Sequence, residues 1–232
     1  MKLGIMQPYL FPYLGYWQLL NYVDNYVVYD DVNFIKNGWI NRNYIILNKN
    51  KHLITLPLCG ASSNKLIKEI HVASNQVVKK KLLKTIESAY KKSTYYNEVF
   101  PLVESILMYP SNNVVDLLYN HLTILCKYLN IKTKIILSSD LKKDNNLSGA
   151  DKVIDICHRL KADVYVNAIG GIELYSRNKF KNEGLELQFL KSNPRRFNQR
   201  SETFIETISI IDVMMNNSLS EVKALLGDFE II

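Results

Sequence analysis

The chain has 232 residues, of which 47% are hydrophobic and 22% are charged, and its formal net charge is +7. This composition is typical of one globular protein with a substantial core, and Pro, Asn or Lys interrupts each long apolar stretch, so we expect no membrane insertion. Six of the 29 basic residues are arginines. The lysines that make up the rest are scattered without interleaved aromatic residues, so we expect no nucleic-acid-binding surface.

Strand and helix patterns alternate along the chain. The predicted strands are 2–6, 25–29, 44–47, 53–57, 134–137, 163–167 and 185–190, and the predicted helices are 15–23, 76–91, 97–109, 112–130, 151–160 and 172–181. This alternation predicts a single α/β domain over residues 1–232, with a mostly parallel, Rossmann-like sheet flanked by helices. Residues 76–130 contain three predicted helices and no strand, and we expect them to form a helical insertion.

The cysteines indicate the compartment. Cys59, Cys126 and Cys157 are odd in number and lack the spacing of metal ligands, which favours a reducing environment. The four histidines are also separated along the chain, so we expect no metal site. The N-terminal segment is too short and too interrupted for a signal peptide, and we therefore expect a cytoplasmic protein.

Polar groups follow four of the predicted strands, at the edge where an open α/β sheet binds its ligand. They are Gln7, the pair Asp30 and Asp31, Ser139, and the pair Gly170 and Gly171. Glycines before a helix let backbone amides approach an anion, although glycine pairs are more often plain turns. The sequence thus predicts that these groups converge on one binding site.

Asp30 and Asp31 are the candidate catalytic carboxylates. Successive strand residues point to opposite faces, so we expect one carboxylate to face the cleft as a general base while the other caps a turn. A capping role alone is the alternative. Lys36 is the third catalytic candidate, because an ammonium neutralises a phosphate or carboxylate, whereas a lysine in a loop often only faces solvent.

The candidate binding residues are aromatic or carry several hydrogen-bonding groups. Four rings are suited to stacking on a sugar or a base, with a place in the core as the alternative: Tyr9, Tyr13, Tyr16 and Trp39. Arg42 is the only arginine before Arg159, which indicates a bidentate donor for a carboxylate or phosphate, or else a surface ion pair. Asn41 and Asn43 flank Arg42 and are expected to position its loop.

These motifs resemble the N-terminal signature of the WbqC-like protein family. The similar runs are residues 5–9, 12–17, 29–32 and 36–43, followed downstream by residues 55–58, 138–139, 170–171 with Tyr175, and 209–212. The resemblance extends over nearly the whole chain. It adds Tyr175 to the candidate binding residues.

Members of that family are associated with gene clusters for O-antigens and other surface polysaccharides. The resemblance implies a transferase that adds an acyl or aminoacyl group, for example glycyl, to a nucleotide-linked amino sugar. Its implied donor is a thioester, with an acyl-carrier partner as a source, and the resemblance identifies no cofactor. Two alternatives stay open: another sugar-modifying enzyme, and a non-catalytic protein that binds a sugar nucleotide or a partner of the same pathway.

The segment at residues 13–16 bears on the use of ATP. It follows a strand, precedes a helix, and is similar to the HxGH loop with which adenylate-forming nucleotidylyltransferase-like enzymes hold ATP phosphates. Both histidine positions of that loop are tyrosines here, Tyr13 and Tyr16. We therefore expect a thioester donor in preference to ATP.

Overall fold

Strands and helices follow one another in the structure, a computed structural model that describes residues 1–73, 75–193 and 195–232. The strands are β1 (Lys2–Met6), β2 (Asn25–Val28), β3 (Arg42–Leu47), β4 (Asn50–Thr55), β5 (Leu58–Cys59), β6 (His71–Val72), β7 (Lys134–Leu137), β8 (Val164–Ala168), β9 (Glu186–Ser192) and β10 (Phe229–Ile231). The α-helices are α1 (Leu14–Tyr22), α2 (Gln76–Tyr90), α3 (Tyr96–Leu107), α4 (Val114–Leu129), α5 (Gly149–Arg159), α6 (Arg177–Asn182), α7 (Ile210–Asn216) and α8 (Leu219–Leu225).

A six-stranded sheet has the order β10-β9-β8-β1-β2-β7. β1 is parallel to β2 and β8, β2 to β7, and β8 to β9, while β10 is antiparallel to β9. Numbered within the sheet, this order reads 3-2-1-4-5-6 from β7 to β10, which is the order of doubly wound, Rossmann-like folds. The prediction of a mostly parallel sheet flanked by helices is confirmed.

The two faces of the sheet carry different helices. The larger core lies under α1, α4, α7 and α8, where Trp17, Leu118 and Met214 are fully buried. The smaller core lies under α5 and α6 and contains Ile156 and Phe180. Because the strand order reverses between β1 and β8, their carboxyl ends open a crevice at that edge.

The chain between β2 and β7 forms two short hairpins, β3–β4 and β5–β6, and then α2, α3 and α4. These helices occupy the segment where the sequence predicts a helical insertion, residues 76–130. Asn113 caps α4 by accepting hydrogen bonds from the amides of Val115 and Asp116, at 2.7 and 3.4 Å. The insertion packs on β3 and α7, so its apolar side chains belong to the larger core.

Two predicted elements are wrong in detail. The β3–β4 turn consists of Asn48 and Lys49, both at positive φ (51° and 66°), so β4 begins at Asn50 and not at residue 53. The helix predicted at 172–181 is a 3₁₀ helix, Ile169–Leu174, followed by α6. Tyr175 separates them in an extended conformation, with its ring 5.5 Å from that of Tyr165.

The C-terminal elements α7, α8 and β10 have no counterpart among the predicted elements. Each helix has only seven residues, too few to show a helical period. The buried Gln18 of α1 holds this region by donating to the carbonyl oxygens of Leu225 and Asp228, at 2.8 and 2.9 Å. Nowhere in the described ranges is a helix both long and apolar enough to cross a membrane.

Candidate functional site

The loop after β1 is tied down at the carboxyl edge of the sheet. Asn43 Nδ2 donates hydrogen bonds to the carbonyl oxygens of Leu10 and Phe11, at 3.0 and 2.7 Å. Ser209 Oγ donates to the same Phe11 oxygen at 2.9 Å. Phe11 has a φ of 43°, a left-handed conformation that a bulky residue rarely adopts. Backbone strain that is held in place by its surroundings is typical of ligand-binding sites.

A cavity of about 270 Å³ lies beside this loop. Its lining residues are Tyr9, Pro12, Tyr13, Trp39, Asn43, Lys51 and Thr207, and we call it the aromatic cavity. Trp39 is 41% exposed, although its ring is large and apolar. Burial raises the pKa of the Tyr9 and Tyr13 hydroxyls, so both remain neutral donors at pH 7. The cavity thus combines open ring faces with a few polar groups, as ligand pockets do.

A second cavity, of about 220 Å³, shares Tyr13 and Thr207 with the first. Its other lining residues are Gly15, Ala168, Ile169, Leu190, Ser192 and Glu206, and we call it the edge cavity. Ala168 ends β8 and Ser192 ends β9, so this cavity lies at the carboxyl edge of the sheet. Together the two cavities reach the range of about 300–1,000 Å³ that is usual for small-molecule sites.

Lys51 brings a cation to the aromatic cavity. Its Nζ lies 4.2 Å from the centroid of the Tyr44 ring, which in turn packs edge-on against Trp39 with 5.7 Å between centroids. A cation over an aromatic face is stabilised by the ring's electrons without losing its charge. The ammonium therefore remains able to bind an anion.

Arg42 is engaged within its own loop. Its Nε donates to Gly38 O at 2.9 Å, and its terminal nitrogens donate to the side-chain and backbone oxygens of Asn37. Its Cζ lies 5.9 Å from the centroid of the Trp39 ring. The guanidinium that the sequence predicts as a ligand fork thus fixes the loop that presents Trp39.

Asp30 acts as a cap in the structure. It is almost fully buried, and its two carboxylate oxygens accept hydrogen bonds from the amide and the hydroxyl of Ser139, at 2.9 and 2.6 Å. These bonds join the ends of β2 and β7. The capping alternative therefore describes Asp30, and Ser139, a predicted binding residue, is its partner.

Asp31 belongs to a buried ion cluster. Its Oδ2 lies 2.5 Å from Lys143 Nζ and 3.7 Å from Lys152 Nζ, and these two lysine side chains are 1% and 8% exposed. Burial favours a higher carboxyl pKa, but the hydrogen bond and charge of Lys143, with the charge of Lys152, outweigh it and hold the pKa of Asp31 below its usual value. Asp31 is therefore ionised at neutral pH. Its role as a base stays a prediction.

Four further predicted residues take different positions. Tyr16 is buried and donates from its hydroxyl to Gln7 O at 3.1 Å, so these two residues hold the start of the loop. Asn41 Nδ2 donates to Leu56 O at 2.8 Å, a bond within the chain. Lys36 is exposed in the loop before Trp39.

The predicted glycine pair follows β8. Gly171 approaches Asn167 so closely that a Cβ there would lie 2.5 Å from Asn167 Nδ2, while Gly170 is exposed. Tyr175 packs against Tyr165 on the α5 and α6 side of the sheet. The glycine pair and Tyr175 therefore do not line the aromatic cavity. Four predicted binding residues do line it: Tyr9, Tyr13, Trp39 and Asn43.

Lys51, Glu206 and Thr207 are among the cavity-lining residues that are absent from the sequence prediction. Lys51 lies between the predicted strands 44–47 and 53–57, but the two-residue turn places it in β4 facing Tyr44. Glu206 and Thr207 come from an irregular segment with no periodicity. Only the tertiary fold brings that segment to the loop after β1, so no local signal identifies these two residues.

The thiols and potential metal ligands are dispersed. Among the residues that the structure describes, no three His, Cys, Asp or Glu side chains are grouped to hold a metal ion. Cys59, Cys126 and Cys157 are free. Burial raises the pKa of Cys126 and of Cys157 to about 12, so both thiols stay protonated at neutral pH.

Comparison with known proteins finds similarity along nearly the whole chain. A family model described as the WbqC-like protein family matches residues 7–224, a span that includes all residues lining the two cavities. The chain is 23% identical over 218 residues to the "Uncharacterized protein Rv1507c" of Mycobacterium tuberculosis, which covers 93% of each chain. No solved structure matches the chain.

Proposed function

Because the chain belongs to the WbqC-like protein family over residues 7–224, we propose that it transfers an acyl or aminoacyl group to a nucleotide-linked amino sugar. A glycyl group is one example, and the context is the biosynthesis of a surface polysaccharide. The observation that carries the proposal is the aromatic cavity at the carboxyl edge of a doubly wound sheet, where such folds bind nucleotides.

The chemistry of the aromatic cavity suits a nucleotide sugar. The rings of Tyr9, Tyr13 and Trp39 offer faces on which a base or a sugar stacks. Lys51 supplies a point charge for a phosphate, and Asn43 fixes the loop that carries the tyrosines. A sugar nucleotide needs all three properties, since it combines a ring system, a diphosphate and a polar sugar.

The reaction requires a neutral amine. Near pH 7 an amino sugar is an ammonium, which must lose a proton to a base before its nitrogen can attack an acyl carbon. The nitrogen then forms a bond to the carbonyl carbon of a thioester and the carbon–sulfur bond breaks. One of the two amine protons is transferred to the departing thiolate, which gives the thiol product, and the other stays on the amide nitrogen. A thioester is already activated, so this scheme requires no ATP. The three free cysteines support a cytoplasmic setting.

A two-step screen tests the proposal. Thermal-shift measurements with a panel of nucleotide sugars should find a nucleotide-linked amino sugar that raises the melting temperature of the protein. With a glycyl or acyl thioester added, mass spectrometry should then detect the N-acylated sugar nucleotide. Stabilisation without product would favour the non-catalytic binding alternative, and stabilisation by none of the nucleotide sugars would contradict both functions.

A pair of variants ties the screen to the aromatic cavity. Trp39→Ala removes the most exposed ring and should lower ligand affinity by about tenfold or more, because stacking contributes roughly 1–3 kcal/mol per base. Val77→Ala is the matched control, since Val77 is 71% exposed on α2 and does not line the cavity. Equal ligand affinities of the two variants would show that the ligand binds outside the aromatic cavity.

A further inference from the structure

The edge cavity and the aromatic cavity carry charges of opposite sign. Glu206 is the carboxylate that lines the edge cavity, and Lys51 is the ammonium that lines the aromatic cavity. Tyr13 and Thr207 line both cavities, so the two cavities adjoin, and we call them together the groove. The combined groove thus has a cationic end and an anionic end.

Both charges are available to a ligand. In the part of the chain that the structure describes, the ion pairs within 4.0 Å involve neither Lys51 nor Glu206. Arg196 and Glu206 also line a separate open cavity. Glu206 is exposed, so its carboxylate is hydrated before a ligand arrives.

Neither Asp30 nor Asp31 lines the edge cavity or the aromatic cavity, and both bind groups within the chain. Ser139 hydrogen-bonds both oxygens of Asp30, and two buried lysines hold Asp31. An amine that entered the groove would therefore meet Glu206 as its acidic partner. The other residues that line the edge cavity are uncharged, and their polar side-chain groups are the hydroxyls of Tyr13, Ser192 and Thr207.

We propose that the edge cavity is the amine subsite of the groove, with Glu206 binding the sugar ammonium while Lys51 binds the phosphate of the same ligand. This inference rests on the proposed function for the ligand class, and it adds the direction in which the ligand lies. The sugar amine points to the ends of β8 and β9, and the nucleotide lies among the aromatic rings.

The opposite orientation has a physical basis of its own. Gly15 lines the edge cavity near the beginning of α1, and the N-terminus of a helix favours an anion. A phosphate placed there would be repelled by the carboxylate of Glu206. The two orientations therefore predict effects of opposite sign when that carboxylate is neutralised.

Calorimetric titration with two probes separates the orientations. The probes are UDP-glucosamine and UDP-glucose, which differ by an amine in place of a hydroxyl. The parent protein should bind the amine probe about tenfold or more tightly than the hydroxyl probe, as expected for a charge-assisted hydrogen bond. Glu206→Gln should abolish that preference by weakening the amine probe alone.

The controls are chosen from the same segments. Glu202→Gln removes a neighbouring exposed carboxylate that pairs with Lys49 at 3.1 Å, and it should leave the preference unchanged. Lys51→Gln should weaken both probes by a similar factor, because both carry the phosphates, whereas Lys49→Gln should weaken neither. This pattern would establish the direction of the ligand.

Each other result overturns the inference in a different way. Tighter binding of both probes to Glu206→Gln would place the phosphate in the edge cavity. Equal binding of both probes to the parent, unchanged in Glu206→Gln, would remove the amine subsite but leave sugar-nucleotide binding intact. A parent protein that binds neither probe would contradict the amine subsite together with the proposed function.

Discussion

Replacing Asp31 should destabilise the protein far more than replacing its neighbour Asp30. Asp31→Asn removes the carboxylate that pairs with the buried ammonium groups of Lys143 and Lys152. Breaking a buried ion pair in this way costs about 3–5 kcal/mol, because a charge is left without a partner. Asp30→Asn retains an oxygen for Ser139 and should lose about 1–2 kcal/mol of hydrogen bonding.

Urea unfolding at pH 7 measures this difference. The double variant Asp31→Asn with Lys143→Met should recover part of the loss, because it removes one unpaired charge and keeps the side-chain volume. Free energies of unfolding of Asp30→Asn and Asp31→Asn that agree within about 0.5 kcal/mol would refute the reasoning. A folded Asp31→Asn protein with lost turnover and unchanged stability would instead support the predicted catalytic role.

The same ion cluster predicts a response to acid. The folded state holds the pKa of Asp31 below its unfolded value, so the ionised carboxylate stabilises the fold at pH values above the unfolded pKa. This contribution is lost as the pH falls through the folded pKa. The parent should therefore lose stability on acidification below about pH 4 more steeply than Asp31→Asn does.

Three other changes have defined outcomes. Burial raises the pKa of Asp212 to about 7, so the free energy of unfolding should fall by about 1.4 kcal/mol per pH unit as the pH rises from about 4 to 7. Asp212→Asn should remove this pH dependence in urea unfolding, and an unchanged dependence would contradict the prediction. Arg42→Lys should weaken binding of the nucleotide sugar by about 1–3 kcal/mol in calorimetry, because the loop that presents Trp39 loses the guanidinium hydrogen bonds to Gly38 and Asn37. Unchanged affinity would refute this prediction. Asn43→Ala should cost about 1–3 kcal/mol in thermal or urea unfolding, since two hydrogen bonds are lost and the carbonyl oxygen of Phe11 keeps the Ser209 hydroxyl as a donor. A loss no larger than that of Asn41→Ala, which breaks one side-chain hydrogen bond, would count against it.

The sheet could be predicted where its strands contain continuous apolar runs. β1 and β7 have the bounds that the sequence predicts, and each contains such a run. The short elements β5, β6, α7, α8 and β10 could not be predicted, since two to seven residues show no reliable period. Long-range packing, such as the bonds of Gln18 to Leu225 and Asp228, fixes the last of these elements in place.

The candidate site also has one part that could be predicted from the sequence and one part that could not. Its aromatic wall is local in sequence, so Tyr9, Tyr13 and Trp39 could be selected from one motif-rich segment. Its charged groups come from a hairpin strand and from an irregular segment far along the chain, as with Lys51 and Glu206. The sequence also does not show which charged groups pair within the chain. Asp30, Asp31 and Arg42 are therefore predicted as ligand groups, although each binds a partner within the fold.

A crystal structure of the protein with a bound nucleotide-linked amino sugar would show where the ligand lies. We expect the ligand to span the two cavities, with a ring stacked against Trp39 or Tyr13, the phosphates near Lys51, and the amine within hydrogen-bond distance of Glu206. A ligand bound outside both cavities at full occupancy would contradict the proposed site.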